Sequence, residues 1–200
     1  MGYRIPAFEL RPYMNVVELA KTRVMPLTGQ PYSFDMTPYF EEPCRFLDDV
    51  ASTCRVVISA PSQSGKSEIM LNFVAHVAIY DPAPSLLIMD TSNNSYKFSS
   101  GRVKPLLRDF VKLPAFEDTS ISNRNDDKKK AVSEYSLSNN SPLYIGGSVS
   151  LSDLCSKPCK YLVLDELARF YEGKEGSSVD LALKRQMRFR GMALLTSTPT

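Results

Sequence analysis

The stretch ISAPSQSGKSEIML, residues 58–71, has the form of a phosphate-binding loop that joins a strand to a helix. RVVISA at 55–60 is a short β-branched run that ends in a turn, and it predicts a buried strand. GKSEIMLNFVAHVAIY at 65–80 is apolar nearly all round, which predicts a helix packed deep against a sheet. Ala60 stands where the pattern has its first glycine, and alanine is acceptable there if the position does not need a positive φ.

The chemistry of this loop comes from its last three residues, Gly65, Lys66 and Ser67. In a phosphate loop, backbone N–H groups surround the phosphates at the start of a helix, where the helix dipole favours anions. The lysine reaches the β- and γ-phosphates, and the hydroxyl that follows it ligates Mg²⁺. A short GKS also occurs by chance at helix N-termini, so the nucleotide-site prediction needs a second motif in the right context.

The second motif is YLVLDE, residues 161–166, in which four apolar residues precede Asp165 and Glu166. A carboxylate at the end of a buried strand beside a phosphate loop is where such NTPases hold Mg²⁺. A second carboxylate can orient and deprotonate the attacking water, a role that a small-molecule kinase would not need. The two motifs together favour a nucleotide hydrolase.

Length and composition are those of one globular α/β domain. The chain has 200 residues, of which 43% are hydrophobic and 23% charged, and its formal net charge is +2. No apolar run approaches the ~18 residues of a membrane span, and the N-terminus lacks the apolar core of a signal peptide. CSKPC at 155–159 is weak evidence for zinc, because a structural site needs four ligands and His76 is the only histidine. Reduced cytosolic thiols are therefore expected.

Apolar runs alternate with helical patterns along the chain. After the first strand, the pattern predicts strands at 85–90, 142–150, 160–166 and 192–200 and a helix at 178–189. Strands that are apolar throughout indicate a parallel sheet covered on both faces. The predicted fold is a three-layer α/β P-loop NTPase of the ASCE/RecA-like class with a mostly parallel central sheet. Residues 1–50 are expected to form an irregular lead-in, 51–200 the P-loop core, and 115–140 a polar surface excursion.

A third motif, LLTSTPT at 194–200, places small hydroxyl residues at the tip of the last predicted strand. Such residues can sense a γ-phosphate and move on hydrolysis, although alone they are typical of an ordinary turn. The ordered series TPYF, SQSGKSE, DPAPSLLIMD, FSSGRVKPLLRD, SKPCKYLVLDEL and LLTSTPT resembles the ATPase domain of the large terminase subunit of tailed bacteriophages, the lambda-type terminases above all. The resemblance covers residues 32–200.

Carried over position by position, the resemblance implies roles for three groups of residues. ATP would be bound by Gln63, Ser64, Gly65, Lys66 and Ser67. Ser67 and Asp165 would ligate Mg²⁺, and Glu166 would be the catalytic base. The motif that couples hydrolysis to DNA movement would be Thr196, Ser197 and Thr198.

Two further roles are less directly assigned. An arginine that stabilises transition-state charge is expected, and many terminases carry a basic residue early in the phosphate loop, where this chain has Ser62. Arg102 is therefore the first candidate for the arginine finger, in cis or in trans, and Arg124 is the second. The family's adenine-recognition segment falls on Tyr32, Thr37, Pro38 and Tyr39. Tyr39 is the predicted adenine contact because tyrosine faces suit stacking.

The resemblance implies a motor that hydrolyses ATP to move double-stranded DNA into a procapsid, in the cytoplasm of the infected bacterium. Its implied partners are double-stranded DNA, the portal of the procapsid, the small terminase subunit and further copies of itself in a ring, with no membrane. The chain stops directly after a strand, so it is expected to be truncated before the family's nuclease domain, which alone would cut DNA. DDKKK at 126–130 and LKRQMRFR at 183–190 are candidate DNA contacts, and Lys184 and Arg188 would share a helix face.

Two alternatives stay open at this point. DELA and STPT also resemble the magnesium and coupling motifs of DExD/H-type helicases, which need a second RecA-like domain. A nucleotide-gated assembly module would bind ATP and change partners without turnover. Glu166 distinguishes the module from a hydrolase, because a pure switch does not need a water-activating base.

Overall fold

The computed structural model describes residues 12–51, 54–112, 132–150, 157–170, 172–173 and 176–199. The strands are β1 Arg55–Ser59, β2 Ser85–Met89, β3 Val132–Ser136, β4 Pro142–Gly147, β5 Tyr161–Leu164, β6 Glu172–Gly173, β7 Gly176–Ser177 and β8 Ala193–Ser197. The α-helices are α1 Val16–Ala20, α2 Glu41–Arg45, α3 Lys66–Tyr80, α4 Ser92–Phe98 and α5 Ser178–Gln186. After α4 the chain continues through π-helical turns at Ser99–Val103 and Leu106–Val111.

Six strands form the central sheet in the order β1-β8-β5-β2-β4-β3, and β6 and β7 form a separate hairpin. In this order, each strand is parallel to its neighbours except the last pair, in which edge strand β3 is antiparallel to β4. The predicted mostly parallel P-loop sheet is confirmed. Strand β8 lies between β1 and β5, with Ser59 beside Ser197 and Leu164 beside Leu195. The ends of the three motif-bearing strands therefore meet at one edge of the sheet.

Side chains alternate between two faces of the sheet, both covered at the central strands, which makes three layers. Edge strand β1 is not buried as predicted, because one of its faces is open and Val57 is 68% exposed. One face carries Val56, Leu87, Val163 and Leu194 into a large core shared with α1, α3 and the helical segment after α4. The other face carries Leu86, Leu162, Leu164 and Leu195 into a smaller core with Ala182 of α5. Because both faces are covered, strands β2 and β5 are buried along their whole length, as their apolar sequences predict.

The N-terminal segment contributes to the main core rather than only leading into it. Helix α1 begins with a capping box in which Asn15 and Glu18 exchange side-chain and backbone hydrogen bonds. Its Val16 and Leu19, together with Tyr32 and Phe40 further along, are buried in the same core as α3. The sequence does not show this packing, because short helices among prolines lack a detectable period.

Several predicted boundaries differ from the structure, among them the last strand, which ends at Ser197. Residues 132–136, predicted as part of a polar excursion, form edge strand β3, in which Tyr135 is buried. The strand predicted at 142–150 ends at Gly147, where an added Cβ would lie 2.3 Å from the backbone N of Ser92. Helix α5 ends at Gln186 instead of 189, so Arg188 lies beyond the helix and does not share a helix face with Lys184. Arg124 and the DDKKK stretch lie outside the described residues.

Within the described ranges, no helix is long and apolar enough to cross a membrane.

Candidate functional site

The phosphate loop runs from the end of β1 to the first residue of α3. Gly65 caps α3 with a φ of 98°, in the left-handed region that favours glycine. A Cβ at Gly65 would also lie 3.3 Å from the Cγ2 atom of Thr37, so the contact and the conformation both require a small residue. Ala60 is not among the described non-glycine residues with positive φ. Alanine at the first glycine position therefore strains nothing.

Lys66 lies folded over its own loop. Its Nζ atom donates hydrogen bonds to the carbonyl oxygens of Ala60 at 2.7 Å and Pro61 at 2.9 Å. A third donor reaches the hydroxyl of Thr198 at 3.0 Å, and the Oε1 atom of Glu166 lies 3.9 Å away. The lysine predicted to bind phosphate is thus within reach of both the coupling motif and the predicted base.

Asp165 is a buried carboxylate at the end of β5. It accepts a 2.5 Å hydrogen bond from the hydroxyl of Thr196 on the neighbouring strand β8. Burial raises the pKa of Asp165, and the charge of Glu166 adds to this effect, while the Thr196 hydrogen bond and Lys66 oppose it. A cation beside this carboxylate would offset the cost of burying its charge.

Glu166 stands next to Asp165 in a left-handed conformation, with φ 58° and ψ 52°. The backbone N–H of Thr198 donates to its Oε2 atom at 3.2 Å, and the Thr198 hydroxyl donates to its Oε1 atom at 2.8 Å. The Oγ atom of Ser197 accepts from the backbone N–H of Ala168 at 3.2 Å. Each of the three coupling-motif residues therefore bonds the segment that carries the two carboxylates.

A cleft of about 450 Å³ opens beside these groups. Its lining includes the loop from Ser62 to Ser67, both carboxylates and Arg102. The opposite wall is formed by Met25, Leu27 and Thr28, which lie on a turn closed by pairing of Val24 with Pro31. Sequence analysis did not find this wall, and the proline and glycine in the segment signal only a turn.

Tyr39 is placed differently from the predicted adenine contact. Its hydroxyl donates to the carbonyl oxygen of Ser64 at 3.1 Å, and its ring packs edge-on against Phe40. Tyr39 is not among the described side chains that line the cleft, whereas Tyr32 is buried in the core. Tyr39 thus supports the phosphate loop from outside, and an ATP contact by its ring stays a prediction.

Arg102 reaches the cleft from the π-helical turn after α4. Its guanidinium lies 3.4 Å from Glu68, which directly follows the phosphate-loop residue Ser67. The other carboxylate oxygen of Glu68 accepts a 2.6 Å bond from Arg23, a fully buried side chain that also donates to Asn72. Glu68 therefore joins two arginines, one in the core and one at the cleft. Neither Glu68 nor Arg23 was found from the sequence.

The predicted basic cluster is divided in the structure. Lys184 and Arg188 are exposed. Arg190 is exposed as well, but its guanidinium donates to the carbonyl oxygen of Ala51 at 3.2 Å. The Nε atom of Arg185 is shielded from solvent. Within the described residues of this stretch, Lys184 and Arg188 are the side chains best placed to meet an external phosphate.

The sequence of the chain decides its family. The model of the family described as "Phage terminase large subunit gpA, ATPase domain" matches residues 28–200. The chain belongs to this family. No curated protein matches the sequence of this terminase chain.

One solved terminase structure agrees with the fold. The HK97 bacteriophage large terminase has a TM-score of 0.64 at 14% identity, over 92% of this chain and 37% of that one. The ATPase domain of the Thermus phage P74-26 large terminase has a TM-score of 0.45 at 19% identity, over 73% of this chain and 59% of that one. The terminase chain therefore spans well under half of the HK97 protein, and at such identities the likeness is one of fold.

The residues around the cleft fit the nucleotide that an ATPase domain binds. The hydroxyl oxygen of Ser64 is shielded from solvent and has no hydrogen-bond partner among the described residues, which a phosphate oxygen would supply. The cleft is large enough for a nucleotide, and it lies at the N-terminus of the 15-residue helix α3. Within the described ranges, no three Asp, Glu, His or Cys side chains are grouped so that they could hold a metal ion by themselves. Mg²⁺ does not need such a group, because it binds through one or two carboxylates plus phosphate.

Proposed function

We propose that this terminase chain is the ATPase part of a motor that uses ATP hydrolysis to move double-stranded DNA into a procapsid. Its proposed partners are the DNA, the portal, the small terminase subunit and further copies of the chain in a ring, in the cytoplasm of the infected bacterium. The observation that carries the proposal is the direct bonding of Thr196 and Thr198 to Asp165 and Glu166. A strand bonded to the catalytic carboxylates can transmit a change at the site to the rest of the domain.

The phosphate loop would bind the nucleotide. Backbone N–H groups at the start of α3, the free hydroxyl of Ser64 and the ammonium of Lys66 are the proposed phosphate donors. Lys66 would exchange its bonds to the carbonyls of Ala60 and Pro61 for bonds to phosphate. Ser67 and Asp165 are the residues that would hold Mg²⁺, which would neutralise part of the phosphate charge.

Glu166 is the proposed general base. Its carboxylate lies at the floor of the cleft, 3.9 Å from Lys66, and is held by two hydrogen bonds from Thr198. It would accept a proton from the water that attacks the γ-phosphate. A module that only binds nucleotide has no need for a second carboxylate at this position.

The test of the packaging proposal is ATP hydrolysis by the full-length protein, measured with linear double-stranded DNA, procapsids, both or neither. We expect hydrolysis to rise several-fold only when DNA and procapsids are both present, and DNA to become protected from an added nuclease. Replacement of exposed Lys184 and Arg188 by alanine should weaken the stimulation by DNA and make it less steeply dependent on salt, because fewer counterions are released on binding. Hydrolysis stimulated by single strands, with duplex unwinding and no DNA protection, would instead support the helicase alternative.

Arg102 is the proposed arginine finger, held at the cleft by Glu68. Replacing Arg102 with alanine is expected to lower kcat by roughly 10–100-fold, the value of one charge-assisted interaction in the transition state, with a smaller change in KM. Arg108, an exposed residue paired with Asp109 in the same helical segment, is the matched control, and its replacement should leave kcat unchanged. An unchanged kcat for Arg102→Ala would remove Arg102 from the mechanism.

Mixed subunits distinguish a finger in cis from one in trans. Arg102→Ala and Lys66→Ala subunits are each expected to be strongly impaired when alone. If Arg102 acts on a neighbouring subunit, mixing the two variants creates some sites with an intact Lys66 and an intact Arg102, so activity reappears. If Arg102 acts within its own subunit, the mixture stays as inactive as its components.

A further inference from the structure

Thr198 joins two functional groups that the sequence places 100 residues apart. Its hydroxyl accepts a hydrogen bond from the Nζ atom of Lys66 at 3.0 Å and donates one to the Oε1 atom of Glu166 at 2.8 Å. Its backbone N–H donates to the second oxygen of the same carboxylate at 3.2 Å. Both oxygens of Glu166 are thus held by one residue, which is itself held by the phosphate-loop lysine.

The three coupling-motif residues have different hydrogen-bond partners. Thr196 is fully buried and bonds Asp165, and Ser197 bonds the backbone of Ala168 in the turn after Glu166. Only Thr198 contacts both Lys66 and Glu166 among the described hydrogen bonds of this motif. Glu166 has a left-handed conformation just before the short turn Leu167–Arg169, and both described hydrogen bonds to its carboxylate come from Thr198, so these bonds orient it.

We propose that Thr198 is a positioning residue for Glu166, and that it makes the direction of this carboxylate depend on the partners of Lys66. The inference rests on the proposed role of Glu166 as base, and it adds the residue that orients the Glu166 carboxylate. Lys66 gives one of its three donors to Thr198 and the other two to loop carbonyls. When Lys66 changes partners to bind phosphate, the hydrogen bonding of Thr198 changes, and with it the direction of Glu166. The hydrogen-bonded series Lys66–Thr198–Glu166 would thereby make the orientation of the Glu166 carboxylate depend on whether phosphate occupies the loop.

Replacing Thr198 with valine tests the proposal, because valine keeps the shape and removes the hydroxyl. The backbone bond to Glu166 remains, so we expect a loss of about tenfold in kcat, the effect of one hydrogen bond to a charged group, with KM for ATP within about twofold of wild type. Thr198→Ser keeps the hydroxyl and should restore most of the lost rate. Thr22→Val is the matched control, since the Thr22 hydroxyl donates to the carbonyl of Leu19 and Thr22 is not among the described residues that line the cleft.

A double-mutant cycle shows whether Thr198 acts through Glu166. In a Glu166→Gln background, Thr198→Val should lower kcat little further, because the carboxylate that Thr198 orients is already absent. A full tenfold loss in that background would overturn the inference, as would a rise in KM at constant kcat, equal loss in Thr198→Ser, or faster hydrolysis in Thr198→Val. A melting temperature near that of wild type shows that the variants are folded.

The outcomes separate this inference from the packaging proposal. If Glu166→Gln abolishes hydrolysis while Thr198→Val behaves like wild type, the base stands and only the positioning role fails. If Thr198 and Glu166 are coupled in basal hydrolysis while DNA and procapsids give no stimulation, the positioning role stands and the packaging proposal fails.

Discussion

Replacing Glu166 with glutamine is expected to lower kcat for ATP hydrolysis by about 10²–10⁴-fold, the usual contribution of a general base. Glutamine has nearly the same shape, and its single amide oxygen can still accept one of the two hydrogen bonds that Thr198 donates to the carboxylate, so the local structure should largely persist. Its amide cannot take a proton from water. Steady-state hydrolysis and nucleotide affinity, measured on the full-length protein with DNA, give kcat and binding separately.

Binding of ATP by Glu166→Gln should be equal to or tighter than that of wild type, because the loss of a negative charge near Lys66 reduces repulsion of phosphate. Glu42→Gln is a suitable control, since Glu42 is exposed on α2 and outside the cleft. Hydrolysis at the wild-type rate in Glu166→Gln would contradict the assignment of the base. It would mean that another group activates the water, whereas absence of hydrolysis in the wild type would favour the nucleotide-gated module.

Replacing Arg23 with methionine is expected to lower the free energy of unfolding by roughly 3–5 kcal/mol, the usual cost of removing one partner from a buried ion pair. The Arg23 side chain is fully buried, and it donates to the carboxylate and carbonyl of Glu68 and to Asn72, while its guanidinium stacks on Tyr32. Methionine fills much of the volume but leaves Glu68 and Asn72 without this donor. Chemical denaturation followed by circular dichroism measures the loss.

Arg45→Met is the matched control for this change. Arg45 pairs with Glu41 one helical turn away, but the pair is exposed, so solvent screens it and stability should hardly change. Equal stability of Arg23→Met and wild type would show that the buried pair is not needed to fasten residues 23–32 to α3. Because Glu68 also bonds Arg102, a folded Arg23→Met variant should show reduced kcat as well.

The parts of the site predicted from the sequence are those in which a local motif sits on one strand or one turn. The loop 60–67 and the pair Asp165–Glu166 are each contiguous, and each is preceded by a short apolar run whose strand was predicted within a residue or two. A parallel sheet brings the carboxyl ends of such strands to one edge, so their proximity follows from the fold class. The roles carried over from the terminases remain predictions at residue level.

The parts that the sequence did not predict come from long-range packing. The cleft wall at Met25, Leu27 and Thr28 is a turn between two proline-rich segments, and nothing local distinguishes it from a surface loop. Edge strand β3 was missed because its sequence, VSEYS, has only two apolar residues in five. The end of α5 at Gln186 was also missed, since Met187, Arg188 and Phe189 continue the helical composition without a stop signal.

By itself, the sequence determined the fold class, the order of the motifs and the bounds of the loop that is predicted to bind phosphate, because backbone requirements and strand patterns are local properties. The tertiary structure decided which residues of these motifs contact one another. Thr198 meets Lys66 and Glu166 only because β8 lies between β1 and β5, and Arg102 faces the cleft only because Glu68 holds it there. Such contacts join residues 32–132 positions apart, and their pairing is set by sheet order and burial rather than by any local pattern.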